Sequence, residues 1–120
     1  MKTILLAEDE RDIAEVLAVR LEISGYAVIL AKDGQEAIDK AKKDKPDLLI
    51  LDLMLPKIDG FEVCRMLKFD DDAKRLPIIV LSALHQQRDR ERVEGYGADA
   101  YFIKPFDLNL LLVKIKELIG

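Results

Sequence analysis

The chain has 120 residues, half of them apolar and 35% charged, which suits one domain with a real core under a polar surface. Its formal charge is −4 without any basic cluster, which argues against nucleic acid as a direct ligand. No apolar stretch approaches the roughly 20 residues that cross a bilayer, and Lys2 with a short apolar run behind it is not a signal-peptide pattern, so no membrane partner is expected.

Apolar runs of strand length alternate with helix-period segments from end to end, without repeats or linkers. The first strand is expected over Thr3–Ala7. A helix follows in which Ile13, Val16, Leu17 and Leu21 are spaced for one buried face, and Ser24-Gly25 closes it. Strand two covers Tyr26–Ala31. Asp33 is placed to cap a second helix carrying Ala37, Ile38 and Ala41. After Pro46 comes strand three, Asp47–Leu51, and a loop from Asp52 to Gly60 leads into helix three with Phe61, Cys64 and Leu67 inward. The lone Cys64 reads as apolar filler; it cannot form an internal disulfide, which fits a reducing cytoplasm. Asp70-Asp71-Asp72 reads as a solvated loop. Pro77 introduces strand four. Helix four spans His85–Tyr96 with Gly97 as its cap, and only Val93 and Tyr96 on it are substantially apolar. Strand five is Asp99–Ile103. Helix five follows Pro105 with Leu108, Leu111, Leu112, Ile115, Leu118 and Ile119 as a wide apolar face.

Five strand–helix units in a row predict an α/β fold: a doubly wound, five-stranded parallel sheet covered on both faces, in one domain over residues 1–120. Ligands of such sheets bind beyond the strand C-termini, where strand order reverses. Four strands end abruptly on polar residues: the first on Glu8-Asp9, the third on Asp52, the fourth on Ser82 and the fifth on Lys104. Strand two ends without a reactive group, which suits an edge position and the order 2-1-3-4-5. Each residue alone is an ordinary cap, turn or surface residue. Together they would gather three carboxylates, a hydroxyl and an ammonium. Carboxylates so gathered repel one another unless a hard cation such as Mg²⁺ joins them, and that set suits a phosphoryl group.

The chain resembles, over its whole length, the receiver domain of bacterial two-component response regulators. The matching segments are Ile4-Leu5-Leu6-Ala7-Glu8-Asp9-Glu10, Leu51-Asp52-Leu53-Met54-Leu55-Pro56, Asp59-Gly60-Phe61-Glu62, Pro77 to Ala83, and Gly97 to Phe106. The resemblance implies a flavodoxin-like (βα)5 fold with the same strand order, 2-1-3-4-5. It implies that Asp52 accepts a phosphoryl group from a phosphohistidine on a sensor histidine kinase or phosphotransfer protein. Asp9 would bind Mg²⁺ directly and Glu8 directly or through water, with Asp52 and the Met54 carbonyl completing the ligands. Lys104 and Ser82 would balance and sense the phosphoryl oxygens, and Pro105 would follow a cis peptide. Tyr101 would turn inward when Ser82 moves, changing the surface of helix four, strand five and helix five. That surface would control a downstream protein or a fused output domain. Such a protein is a switch and not a turnover enzyme.

The sequence departs from the family's commoner pattern in places. Glu8 stands where Asp is more frequent, Ser82 where Thr is, and Ala100 where an acid often supports a salt-bridged homodimer; a homodimer of another kind is left open. Met54 and Leu84 are apolar and cannot orient a hydrolytic water, so slow loss of the phosphoryl group is expected. The alternative is an interaction module of receiver fold that takes no phosphate, which the intact set Glu8, Asp9, Asp52, Ser82 and Lys104 disfavours. A Mg²⁺-dependent hydrolase is disfavoured by Met54, where a second acid would be needed. A flavin site lacks its phosphate loop, and the single His85 makes no zinc site.

Overall fold

The computed structural model describes residues 1–120. Five strands and five helices alternate: β1 Thr3–Ala7, α1 Arg11–Ile23, β2 Ala27–Ala31, α2 Gly34–Asp44, β3 Leu48–Asp52, α3 Gly60–Lys68, β4 Ile78–Ser82, α4 Gln87–Tyr96, β5 Ala100–Ile103 and α5 Leu108–Ile119. All strand pairs are parallel and the order is β2-β1-β3-β4-β5. The doubly wound, flavodoxin-like fold expected from the alternating pattern is therefore the one observed.

Every residue of β3 and β4 is buried, as unbroken apolar strands require when both faces are covered. Alternate side chains feed two cores. Leu5, Leu49, Leu51, Ile78 and Val80 face α2, α3 and α4. Ile4, Leu6, Leu48, Ile50, Ile79 and Leu81 face α1 and α5. Asp33 caps α2 by accepting from the Glu36 N–H at 2.8 Å, and Asp59 caps α3 by accepting from the Glu62 N–H at 3.0 Å. Cys64 is completely buried in the larger core, and that burial pushes its thiol pKa up to about 11, so it is an inert filler.

Three expectations need correction. On α1 the buried stripe is Ala14, Leu17, Ala18 and Leu21, while Ile13 and Val16 lie exposed. The small alanines let the helix sit close to the sheet, and this rotates the larger branched residues outward. Asp70 is not simply solvated: it pairs with Lys42 at 2.7 Å and accepts from the Asp72 N–H at 2.8 Å, which fixes the turn before β4. Finally, α4 starts at Gln87, so His85 lies in the preceding loop; β2 and β5 start one residue later than expected, and β3 is shifted by one to include Asp52.

Helix α4 is thinly anchored. Val93 is its only buried residue, worth about 1.5–3 kcal/mol on burial. Tyr96 packs half-buried against the same core, and the Arg92 guanidinium is stacked 4.2 Å from the centre of the Phe61 ring of α3, contributing about 0.5–1 kcal/mol more. Helix α5 buries Leu111 and Ile115 fully and half-buries Leu108, Leu112, Leu118 and Ile119. Cheap local opening of α4 follows. Hydrogen exchange should find the central α4 amides exchanging faster than those of α5; equal protection would contradict this account.

Candidate functional site

Parallel pairing brings the strand ends to one level. Ala7 lies opposite Leu51, Asp52 opposite Leu81, and Ser82 opposite Ile103. The residues at and just beyond these ends therefore share the sheet's upper edge. Glu8, Asp9 and Asp52 come together there, with a carboxylate oxygen of each within 4.8 Å of the others. Lys104 reaches in from the end of β5 and donates to Glu8 Oε1 at 2.7 Å and to Asp52 Oδ2 at 3.0 Å. The Lys104–Pro105 peptide bond is cis.

Glu8, Asp52 and Ser82 are buried and Asp9 is exposed, so the cluster opens to solvent on the Asp9 side. Burial raises the Glu8 pKa above its ordinary value; the Lys104 hydrogen bond opposes this and the Asp52 charge adds to it. Burial alone would lower the Lys104 pKa, but its bonds to Glu8 and Asp52 outweigh burial and raise it, so the ammonium stays charged. Asp52 Oδ1 also accepts from the Met54 N–H at 3.0 Å, which ties the following loop to the carboxylate. Three carboxylates against one ammonium leave an excess of negative charge on hard oxygen donors. That donor set fits Mg²⁺, which takes a few carboxylates and fills its remaining positions with water or phosphate oxygens.

Ser82 and Tyr101 meet through one residue. The Ser82 Oγ accepts from the Leu84 N–H at 3.0 Å, and the Tyr101 hydroxyl donates to the Leu84 carbonyl at 2.7 Å. Tyr101 is only 7% exposed, so its ring already lies inward rather than half-buried on the strand. Burial raises its pKa, partly offset by the Ser82 hydroxyl. Ala100 is half-buried opposite Ile79.

The family profile described as the response regulator receiver domain matches residues 4–116. The chain belongs to the response regulator receiver family. It is 42% identical over 118 residues to the alkaline phosphatase synthesis transcriptional regulatory protein PhoP of Bacillus subtilis, covering 98% of this chain and 48% of that protein. It is 40% identical over 119 residues to the DNA-binding dual master transcriptional regulator RpaA of Synechocystis, covering 99% and 49%. The chain thus spans about half the length of the curated relatives it matches. Among solved structures, a Francisella response regulator receiver domain superposes with a TM-score of 0.93 at 28% identity, covering 99% of this chain and 97% of that one. The receiver domain of a Pseudomonas aeruginosa sensor histidine kinase superposes with a TM-score of 0.90 at 34% identity, covering 99% and 98%; that structure holds a magnesium ion in its active-site cleft. As a receiver domain, the chain is a component of two-component signalling. No helix in it is long and apolar enough to cross a membrane.

One feature of the receiver escaped the sequence pattern. A groove of about 450 Å³ lies between α1 and the start of α5, lined by Ile13, Val16, Phe106 and Leu108 together with the charged Glu8, Asp12, Arg20 and Lys104. The signal was present: α1 is apolar at more than half its positions, a wider stripe than the sheet can cover.

The Glu8 shift fixes a pH dependence. Below about pH 4.5 the carboxyl is protonated in both folded and unfolded chains and its stabilising effect is fully present. As pH rises through the raised folded value, Glu8 ionises in its buried place and that stability is lost. In metal-free buffer, urea unfolding from pH 4.5 to neutrality should show wild type losing stability relative to Glu8→Gln.

Proposed function

We propose that the receiver is a phosphorylation switch. Its Asp52 carboxylate oxygen attacks the phosphorus of a phosphohistidine on a sensor histidine kinase or phosphotransfer protein; the P–N bond breaks, and the imidazole keeps the electron pair and takes up a proton. The observation that carries this reading is the buried Asp52 held by an ammonium inside a carboxylate cluster that suits a divalent cation. Glu8, Asp9, Asp52 and the Met54 carbonyl would hold Mg²⁺. When bound, Mg²⁺ supplies positive charge to the oxygens of the transferred group.

Lys104 has a second task once Asp52 carries the phosphoryl group. Its ammonium keeps Glu8 and exchanges the lost carboxylate charge for a phosphoryl oxygen. The Ser82 Oγ uses a lone pair on the Leu84 N–H, which leaves its proton free to be donated to the same phosphoryl group. A shift of Ser82 is felt by Leu84, whose carbonyl holds Tyr101. This chain of contacts leads from the chemistry to β5 and the thinly anchored α4. The α4–β5–α5 surface then governs binding of a downstream protein or a fused output domain, in the cytoplasm. The protein acts on itself and turns over no substrate. Met54 and Leu84 offer no polar group to a hydrolytic water, so the acyl phosphate is long-lived.

Incubation with Mg²⁺ and acetyl phosphate should add one phosphate-sized mass, lost in Asp52→Ala and lost on chelation. No gain in wild type would favour the phosphate-independent interaction module instead.

The groove between α1 and α5 is where the donor docks. Its lining is mostly apolar, with Asp12 and Arg20 on α1, and it includes Glu8 and Lys104, the latter bonded to Asp52, so a partner seated in it brings its phosphohistidine near Asp52. Val16 is 67% exposed and supports no core contact. Val16→Asp should slow transfer from a phosphorylated kinase at least about tenfold, the size of a moderate interface hot spot, while labelling by acetyl phosphate stays at the wild-type rate. Equal slowing with both donors would place the defect in the site and not in docking.

A further inference from the structure

The tip of β2 has no reactive group, yet it touches the phosphoacceptor loop. Ala31 is followed by Lys32, Asp33 and Gly34, and Gly34 opens α2. The Gly34 N–H donates to the Pro56 carbonyl at 3.1 Å. The same carbonyl accepts from the Ile58 N–H at 2.9 Å, closing a three-residue turn around Lys57. Lys57 sits at φ 67, a left-handed backbone that a lysine adopts only when its surroundings hold it there. Two contacts hold it, both from the end of β2. One is the Gly34 N–H. The other is Asp33, whose Oδ2 lies 3.5 Å from Lys57 Nζ while its Oδ1 caps α2.

The fit allows no side chain at position 34. A Cβ there would collide with the Ile58 carbonyl and stand 2.8 Å from the Ile58 Cβ. The base of the same loop is equally tight. The Gly60 N–H donates to the Leu53 carbonyl at 2.9 Å, and a Cβ on Gly60 would collide with the Asp52 carbonyl. Residues 53–59 are thus fastened at the base by Gly60 and at the tip by Gly34. Between these fastenings lies Met54, with its N–H on Asp52 Oδ1 and its side chain 61% exposed.

We propose that Gly34, with Asp33, is a positioning element of the phosphoacceptor site: it holds the tip of the 53–59 loop and thereby sets where the Met54 backbone stands relative to Asp52. This deepens the reading of Asp52 and Met54 as part of a Mg²⁺ site and rests on it. Neither Gly34 nor Asp33 touches Asp52, Lys104 or a transferred phosphoryl group. Their effect passes through the loop backbone, in the way that groups behind a metal's direct ligands tune its affinity.

The test uses the 120-residue chain. Gly34→Ala should raise the Mg²⁺ dissociation constant, measured by titration calorimetry, about tenfold. It should also speed hydrogen exchange at the Met54, Ile58 and Gly60 amides in metal-free protein. Labelling by acetyl phosphate should then need more Mg²⁺ for half-saturation yet reach the wild-type plateau, a split that a mere loss of folded protein does not produce. Gly95→Ala, at an open position on α4, serves as the control and should leave Mg²⁺ binding unchanged. If Gly34→Ala fails to fold, Asp33→Ser decides: it keeps a capping oxygen for α2, removes the partner of Lys57, and should shift both readouts in the same direction by less. A folded variant with wild-type Mg²⁺ affinity overturns the proposal, whether or not its loop exchanges faster. Should wild type itself take up no Mg²⁺, the phosphorylation reading falls, and amide exchange of the metal-free loop alone decides whether Gly34 positions it.

Discussion

One ammonium between two buried carboxylates is the contact on which the upper edge of the sheet depends. Like charges about 5 Å apart repel by roughly 3–4 kcal/mol at the effective dielectric of a protein surface, and Glu8 and Asp52 are within that range and almost wholly out of water. Lys104 is what allows them to coexist. It does not neutralise the site: one ammonium faces two carboxylates, and Asp9 adds a third on the open side. The edge therefore carries an excess of negative charge on hard oxygen donors, held in place by a single ammonium.

The architecture explains why such a site can be both precarious and well placed. Parallel strands with two covered faces have no polar surface except at their ends, so the chemistry is confined to the rim. The apolar residues beneath it, from Leu5 to Leu81, form a rigid floor. Above that floor the structure weakens in steps: first the Ser82–Leu84–Tyr101 hydrogen bonds, then α4, which rests on Val93, on half-buried Tyr96 and on one stacked arginine. Helix α5, with two fully buried and four half-buried apolar residues, is held more firmly than α4.

The strands and the order of the sheet were legible in the sequence because the patterns were strong: unbroken apolar runs, each ending at a polar residue that has no place in a core. Glu8, Asp52, Ser82 and Lys104 could be gathered from topology alone, since parallel pairing leaves their strands ending together. What escaped was rotational or tertiary. The face that α1 buries turned on Ala14 and Ala18, which weigh little in a hydrophobic pattern but fit closely against a sheet. Asp70 looked like one of three solvated acids, and only the approach of Lys42 sets it apart. The stacking of Arg92 left no signal, because a guanidinium lying on an aromatic ring of another helix leaves no periodic trace. The end of β2 looked empty for the same reason: its contribution is a backbone N–H and a missing side chain.

The two apolar layers share strands but no helices. The groove beside Glu8 and Lys104 belongs to the α1 side, and Tyr101, Val93 and α4 belong to the other. The sheet is thus a partition, and α5 lies on the groove's side of it. Substitutions at exposed α1 positions such as Val16 leave the packing beneath α4 untouched, because no apolar layer joins the two helices. A change on α5 has no such freedom: that helix walls the groove and also borders β5, so it is the element on which the two faces of the fold must evolve together.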